Sequence, residues 1–207
     1  MNFEHTEKTK KLMGLVSDFI ETRIKPKEQK YTDEMSAFKE SGDPWQVPSV
    51  LNDLKKEARD LGLWNFSLTG ELGYGLSNLE FAPLAEMMGV GWTSEVFNSS
   101  APDAGNMEVL DKYGSDYQKD KWLSRLLNGE IRSAFAMTEP NVASSDATNI
   151  SSTILREGDE YIVNGEKWWT SGYGRPDCEF MIFMGVSNPD APKPVSYTHL
   201  RAHETRI

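Results

Sequence analysis

Two stretches in the second half of the chain carry the strongest information about the fold: FAMTEPNVASSDATNI, residues 135–150, and YIVNGEKWWTSG, residues 161–172. Both lie in a region of short apolar runs separated by turn residues, a pattern typical of β-strands. The runs span residues 133–138, 150–156, 160–163, 167–171 and 180–186. Turn residues stand at Glu157-Gly158-Asp159 and at Asn164-Gly165, and Asn-Gly is a strong hairpin signal. We therefore expect an antiparallel β-domain from residue 132 onward.

The chain before this region has a helical period instead. Apolar residues recur there every three to four positions, and capping residues precede several of the runs. The runs are Leu12 to Ile24, Val50 to Leu61, Phe81 to Met88 behind a Ser77–Glu80 capping box, and Trp122 to Leu127 behind a Ser115–Gln118 capping box. We expect Pro26 to end the first helix, Gly62 the second and Gly129 the last. Residues 1–131 are therefore predicted to form an all-α helical bundle.

The composition is that of an ordinary globular protein. The 207 residues are 38% hydrophobic and 26% charged, enough for one large domain or for one domain and part of another. The formal net charge of -10 repels phosphate backbones, so nucleic-acid binding is not expected. The sequence shows no membrane-spanning run and no cluster of metal ligands. A single cysteine, Cys178, excludes an internal disulfide and suits a reducing compartment.

The two stretches quoted above resemble the flavin-binding signature of the acyl-CoA dehydrogenase family. The sequences NVASSDATN, residues 141–149, and APDAGNME, residues 101–108, resemble one branch of that family. In some eukaryotic members of the branch, the dehydrogenase follows a phosphotransferase-like domain. The resemblance runs from about Phe19 to Cys178 and implies an α+β multidomain protein. Its parts are an N-terminal helical domain, residues 1–131, a middle β-domain that is incomplete here, residues 132–194, and a C-terminal helical domain that this chain lacks.

The resemblance also implies that the cofactor is FAD. The positions that match the family's flavin contacts are Phe135, Met137, Thr138, Ser144, Ser145, Trp169, Thr170 and Ser171. By this match, Thr138 hydrogen-bonds the pyrimidine edge of the flavin, Trp169 packs at the ring, and Ser171 donates toward N5. The loop with Ser144 and Ser145 meets the pyrophosphate and the acyl-CoA ligand. Either serine could act there, and Ser145 is preferred because it directly precedes Asp146.

The function implied by the resemblance is α,β-dehydrogenation of an acyl-CoA thioester to a trans-2-enoyl-CoA. A carboxylate removes the α-proton while hydride leaves the β-carbon for the flavin. In the family the base is a Glu from the later part of the chain, so Glu139 is expected to be structural. The electrons then pass to an electron-transfer flavoprotein. The full-length protein is expected to be a homo-oligomer of the bacterial cytoplasm, or of the mitochondrion or peroxisome in a eukaryote.

Two other readings of the same residues stay open. A flavin oxidase or monooxygenase of the same fold shares the helical half but uses oxygen. A non-catalytic acyl-CoA-binding module retains the fold without a Glu at the base position. No nicotinamide fingerprint competes, because the Gly-x-Gly sequences lack the third glycine and the strand-to-helix context.

The last residues, VSYTHLRAHETRI at 195–207, do not resemble the rest of the chain. Val195 to Thr205 correspond, in one reading frame, to a widely used transposase sequencing adapter. We therefore predict that residues 195–207 are not natural protein sequence. Resequencing the source DNA is expected to give a different continuation after Pro194, long enough to complete the β-domain and add a helical domain. Recovery of the same tail from independently prepared DNA would contradict this prediction.

Overall fold

The computed structural model describes residues 4–90, 92–144 and 146–188, together with the backbone of residues 197–201. The chain divides into two compact units, Met1–Glu130 and Ile131–Ile207. The first unit is helical and the second contains a small sheet. Among the helices of the described residues, none is long and apolar enough to cross a membrane.

Within residues 4–90 and 92–130, the helical unit contains eight α-helices and several short π-helical and 3₁₀ segments. The α-helices are α1 (Glu7–Phe19), α2 (Glu28–Glu40), α3 (Ser49–Asp60), α4 (Asn78–Met88), α5 (Thr93–Val96), α6 (Asp103–Tyr113), α7 (Asp116–Gln118) and α8 (Ser124–Leu127). Two π-helical segments, Ile20–Ile24 and Lys119–Leu123, and two 3₁₀ segments, Lys25–Lys27 and Gly70–Leu72, complete it.

The predicted apolar stripes form the core of this unit. Val16 and Phe19 of α1, Leu54 of α3 and Leu84 of α4 are all buried, together with Phe97 after α5. Burying such side chains supplies most of the stability of amphipathic helices. Both predicted capping boxes are present, at the starts of α4 and α7. One member of a predicted stripe is misplaced, since Leu61 is 64% exposed where α3 ends.

Pro26 does not end the first helical stretch, contrary to the prediction. The chain passes from α1 through a π-helical and a 3₁₀ segment into α2, and Pro26 lies at the start of the 3₁₀ segment. A proline in a first turn costs little because the missing N–H has no partner to lose there. The helix α2 was not predicted, because it contains no buried residue and so has no apolar stripe.

The helix α6 was missed for a related reason. Its buried face mixes Asp103 and Asn106 with Met107 and Leu110. A stripe that is half polar carries no clear apolar period, although the backbone is helical.

The described residues of the second unit form five strands and one 3₁₀ turn, Ala147–Asn149. The strands are β1 (Arg132–Ala136), β2 (Thr153–Glu157), β3 (Glu160–Asn164), β4 (Cys178–Val186) and β5 (Tyr197–Arg201). The sheet order is β1-β4-β2-β3, and β5 pairs with β4. The predicted hairpin between β2 and β3 is confirmed, with Gly158 at φ +62° in its two-residue turn.

The sheet is mixed rather than purely antiparallel. The pair β2/β3 is antiparallel as predicted, and β4/β5 is also antiparallel, although no strand was predicted at residues 197–201. The pairs β1/β4 and β2/β4 are parallel. Ile182 is paired with both Phe135 and Arg201, and Val186 with both Thr153 and Tyr197. A residue has one partner on each side, so β1 and β2 follow one another along one edge of β4, with β5 along the other. The sequence does not distinguish parallel from antiparallel pairing, because side chains alternate between the two faces of the sheet in both.

The predicted strand at residues 167–171 is wrong, and with it the second hairpin. This segment is irregular, and Trp169 has φ +53°. Gly165 serves a different purpose from a hairpin turn, because a Cβ atom there would collide with the Ser152 hydroxyl. The Asn-Gly sequence therefore marks a close approach of two backbones.

The glycine after α8 provides a test of the helical unit. Gly129 has φ +67°, and a Cβ atom added there would lie 2.6 Å from Cζ2 of Trp64. We expect Gly129→Ala to lower the free energy of unfolding by about 2 kcal/mol, because an L-residue is disfavoured in this conformation and the ring must move. Gly14→Ala is the matched control, since Gly14 lies in α1 with no atom within 4 Å of the added methyl group.

The control should instead raise the free energy of unfolding by about 0.5–1 kcal/mol, because it removes backbone freedom from the unfolded chain. Urea denaturation followed by circular dichroism measures both effects. Equal stability of the two variants would show that the left-handed turn is not required.

Candidate functional site

An open cleft of about 400 Å³ lies on one face of the sheet. Its lining residues are Ala136, Lys167, Trp168, Trp169, Thr170, Tyr173, Met181 and Phe183. The parallel register pairs Ala136 with Phe183, so these two side chains share a face with Met181. The opposite face of β4 carries the buried Phe180, Ile182 and Met184. Alternation along β4 thus separates a core face from a cleft face.

The other wall of the cleft is the irregular segment between β3 and β4, residues 165–177, which we call the aromatic loop. Trp169 is 81% exposed and adopts a left-handed backbone conformation. Trp168 and Tyr173 are each 46% exposed, and the two indole centroids lie 5.8 Å apart. A bulky residue with positive φ is an outlier that occurs chiefly at functional sites. The loop therefore presents aromatic surface that the described residues do not cover.

Two hydrogen bonds join this loop to the end of β1. The Thr138 hydroxyl donates to the Trp168 carbonyl at 2.7 Å, and the Trp168 N–H donates to the Thr138 carbonyl at 3.1 Å. The aromatic loop thus runs beside Thr138 without forming a regular strand.

Glu139 is the most highly connected polar side chain of the site. Its Oε2 atom accepts from the N–H and the hydroxyl of Ser151 at 2.9 and 2.5 Å. Its Oε1 atom accepts from the N–H of Ser152 at 2.9 Å and from the Lys167 ammonium at 2.7 Å. The Lys167 ammonium also donates to the Met137 carbonyl at 2.9 Å. The Glu139 and Lys167 side chains are only 3% and 7% exposed.

Burial alone would raise the pKa of Glu139, because a charged carboxylate loses hydration. The hydrogen bonds from Lys167, Ser151 and Ser152 outweigh that effect and hold the pKa well below its usual range. Glu139 is therefore ionised at neutral pH, with its oxygen atoms already occupied by donors. A carboxylate in this state cannot serve as a general base, which agrees with the structural role expected for it.

The loop that follows Glu139 is closed by local hydrogen bonds. The buried Ser144 hydroxyl accepts from the Glu139 N–H. Asp146 accepts from the Thr148 N–H at 2.9 Å, and the Asn149 side chain donates to the Ala143 carbonyl at 3.2 Å. Ser144 is thus engaged inside its own loop. Ser145, the preferred ligand contact, lies outside the described residues.

The predicted site residues are only partly brought together. Trp169 and Thr170 line the cleft, and Thr138 lies beside them through its bonds to Trp168. Ser171 is exposed on the same loop. Phe135 alternates with Ala136 along β1 and therefore lies on the other face of the strand. Met137, just after β1, contributes its carbonyl to Lys167.

Besides Ala136, which stands between the predicted Phe135 and Met137, sequence reasoning missed five residues that line the cleft: Lys167, Trp168, Tyr173, Met181 and Phe183. Met181 and Phe183 could have been found from the alternation along β4, which separates them from Phe180 and Ile182. No local signal marks Lys167, because its partners Met137 and Glu139 lie 28 or more positions away.

The Glu139 network predicts a pH-dependent stability. Glu139→Gln leaves the Lys167 ammonium buried without its carboxylate, which should cost about 3 kcal/mol at pH 7. A carboxyl whose pKa is lowered by folding stabilises the folded state above its unfolded pKa of about 4.3, and this stabilisation fades as the pH falls further. The difference between parent and variant should therefore shrink below about pH 4.

The control for this prediction is Glu166→Gln, an exposed carboxylate next to Lys167 in sequence. Its effect should stay within about 0.5 kcal/mol at every pH. Urea midpoints measured by tryptophan fluorescence at pH 7 and pH 3.5 decide the matter. A Glu139→Gln deficit of equal size at both values would contradict the assigned ionisation.

Comparisons with known proteins agree with this architecture. FadE2 of Mycobacterium tuberculosis, a provisionally assigned acyl-CoA dehydrogenase, is 46% identical over 197 residues, which cover 92% of this chain and 46% of FadE2. A solved structure from Mycobacterium abscessus, also provisionally assigned as an acyl-CoA dehydrogenase, has a TM-score of 0.89 and 46% identity. That match covers 96% of this chain and 50% of the other, so this chain spans about half the length of both proteins.

A second solved structure shares the fold alone. It is a glutaryl-CoA dehydrogenase of Mycobacterium smegmatis in complex with FADH2, with a TM-score of 0.69 at 21% identity. The match covers 95% of this chain and 45% of that protein.

Two family models match consecutive parts of the chain. The model described as acyl-CoA dehydrogenase, N-terminal domain, matches residues 6–130, and the one described as acyl-CoA dehydrogenase, middle domain, matches residues 134–200. The first falls within the helical unit and the second within the unit that holds the cleft. Because the two models follow in order and account for nearly the whole chain, this chain belongs to the acyl-CoA dehydrogenase family.

Proposed function

We propose that this chain is part of an FAD-dependent acyl-CoA dehydrogenase that converts an acyl-CoA thioester to a trans-2-enoyl-CoA. The observation that carries the proposal is Trp169, an exposed aromatic residue held with positive φ beside Thr170 and Ser171. A planar ring can rest on such a side chain, and the strain of its backbone fits a binding role. A protein with the same fold is known in complex with FADH2, which supports a flavin as the planar ring.

The residues present fit an isoalloxazine ring by their chemistry. Bound FAD would supply an acceptor for the hydride that leaves the substrate. Trp169 would pack against the ring, and Thr170 and Ser171 would stand at its edge. The Ser171 side chain is exposed, and no hydrogen bond of its hydroxyl is found within the described part of the chain. Ser171 is therefore the better donor toward negative charge that develops on the flavin.

Thr138 would act differently from Ser171. The single proton of its hydroxyl is used by the Trp168 carbonyl, so the oxygen offers a lone pair to a ligand. We propose that Thr138 accepts a hydrogen bond from the pyrimidine edge of the flavin while it orients the aromatic loop. Ser145 would meet the acyl-CoA ligand in the loop after Glu139.

The proton chemistry requires a base other than Glu139. Four donors already surround the Glu139 carboxylate, and its pKa is lowered, so it holds no lone pair for a substrate α-proton. We propose that the base is a Glu from the later part of a full-length protein. That protein would form homo-oligomers and pass electrons to an electron-transfer flavoprotein.

The experiment compares two proteins, the 207-residue chain and a version extended with its natural continuation. We expect flavin absorbance and acyl-CoA-dependent dye reduction from the extended protein and no turnover from the 207-residue chain, because a base and an enclosed flavin are both needed. In the extended protein, Ser171→Ala should lower the flavin reduction potential by removing a donor worth about 1–3 kcal/mol. Ser17→Ala, an equally small change at an exposed position of α1, is the control.

Each alternative predicts a distinct result. Rapid formation of hydrogen peroxide by the reduced extended protein would indicate an oxidase. Binding of acyl-CoA without flavin absorbance or turnover would indicate a non-catalytic module. Dye reduction by the 207-residue chain itself would refute the proposal that the catalytic base lies outside this chain.

A further inference from the structure

We propose that the buried Glu139–Lys167 pair is a clamp that fixes the aromatic loop against the end of β1, so that Trp169 and Ser171 are held in place before any ligand arrives. The clamp is a positioning device, and its link to the flavin rests on the function proposed above. Glu139 is enclosed by its donors and does not line the cleft, whereas Lys167 is one of the residues that line it.

The Lys167 ammonium has three donors and three neighbours. It lies 2.7 Å from Oε1 of Glu139, 2.9 Å from the Met137 carbonyl and 4.9 Å from the centroid of the Phe183 ring. These groups belong to the end of β1 and to β4. The ammonium therefore joins the first residues of the aromatic loop to both parallel strands at once.

The Glu139 carboxylate extends the same connection to a third segment. Its bonds to the N–H groups of Ser151 and Ser152 bring in the residues just before β2. One buried charge pair thus joins the end of β1, the start of β2 and the start of the aromatic loop. Charge-assisted hydrogen bonds are short and directional, so such a pair sets geometry more strictly than apolar contact does.

The aromatic loop needs an anchor of this kind because it has no strand pairing. Its far end is held separately, by the Arg175–Asp177 ion pair at 2.7 Å and by the Arg132 N–H, which donates to the Asp177 carbonyl at 2.8 Å. Between these two anchors, the Trp168 backbone is hydrogen-bonded to Thr138, and the side chains of Trp168 and Trp169 project with little burial. Removing the near anchor should therefore free the flavin-facing residues and leave β4 in place.

A buried ion pair gives little net stability, because desolvation cancels much of the attraction. Replacing both partners with apolar residues of similar size often leaves stability unchanged, whereas removing one partner is destabilising. The single and double variants therefore differ in stability, so an effect on loop geometry can be told apart from a loss of stability. A double variant removes the geometric constraint without leaving an unpaired buried charge, and its urea midpoint shows whether the fold is retained.

The test uses the double variant Glu139→Leu/Lys167→Met of the 207-residue chain. The single variants Lys167→Met and Lys167→Arg serve for comparison. Hydrogen exchange detected by mass spectrometry reports on peptides that cover residues 166–173 and 178–186. We expect exchange at residues 168–171 to become about tenfold faster in the double variant, with β4 unchanged. Lys167→Arg retains the charge and should lie closer to the parent. Asp177→Asn is the matched control, because it loosens the far anchor instead.

Titration with FAD of the extended protein and of the same variants made in it, followed by quenching of tryptophan fluorescence, supplies the functional measurement. We expect the dissociation constant of the double variant to rise about tenfold, even where its urea midpoint matches that of the parent. Unchanged exchange at residues 168–171 in the double variant would overturn the clamp. Faster exchange with unchanged FAD affinity would overturn its positioning role. If the extended parent protein does not bind FAD, the proposed function fails, and the exchange experiment still decides whether the pair fixes the loop.

Discussion

The ionised carboxylate of Glu139 is buried, and such a charge must be compensated. Its compensation comes from the Lys167 ammonium and from the Ser151 and Ser152 groups before β2. These groups are 12 to 28 positions away in sequence, so satisfying one charge brings separate segments together. Most of the cleft depends on this, because the aromatic loop that walls it has no ladder of its own. Loops carry function when a rigid scaffold holds them, and here a polar network provides part of that scaffold.

The helical unit is stabilised by different means. Its core consists of apolar side chains from α1, α3 and α4. Their contacts are not directional, so they require close packing and not a specific partner. Buried polar side chains also contribute where the chain turns sharply, at Asn65 and Asn98, both with positive φ. The Asn98 amide donates to the Asn65 side chain at 2.7 Å and to the Leu126 carbonyl at 2.9 Å. Asparagine tolerates this backbone conformation and satisfies buried carbonyls at the same time.

Hydrogen-bond direction changes what a motif residue can do. By resemblance, Thr138 and Ser171 both hydrogen-bond the flavin, yet the Thr138 proton is used by Trp168. Ser171, on an exposed part of the loop, keeps the capacity to donate that the family pattern assigns to it. The residue type in a motif therefore determines whether a side chain could donate or accept a hydrogen bond. The hydrogen bonds it already makes determine which of the two it can still do for a ligand.

Periodicity and turn chemistry in the sequence were enough to predict most helices, four of the five strands, the change from α to β near residue 131 and the hairpin at Gly158. These features depend on neighbouring residues, whose spacing is visible in one dimension. The helices α2 and α6 escaped because they bury no apolar face or a mixed one. Only the tertiary structure decided that β1 and β4 run parallel, that residues 167–171 form a loop and that Lys167 meets Glu139. Those outcomes depend on contacts between distant segments, and the pairing of a buried charge has no period in the sequence.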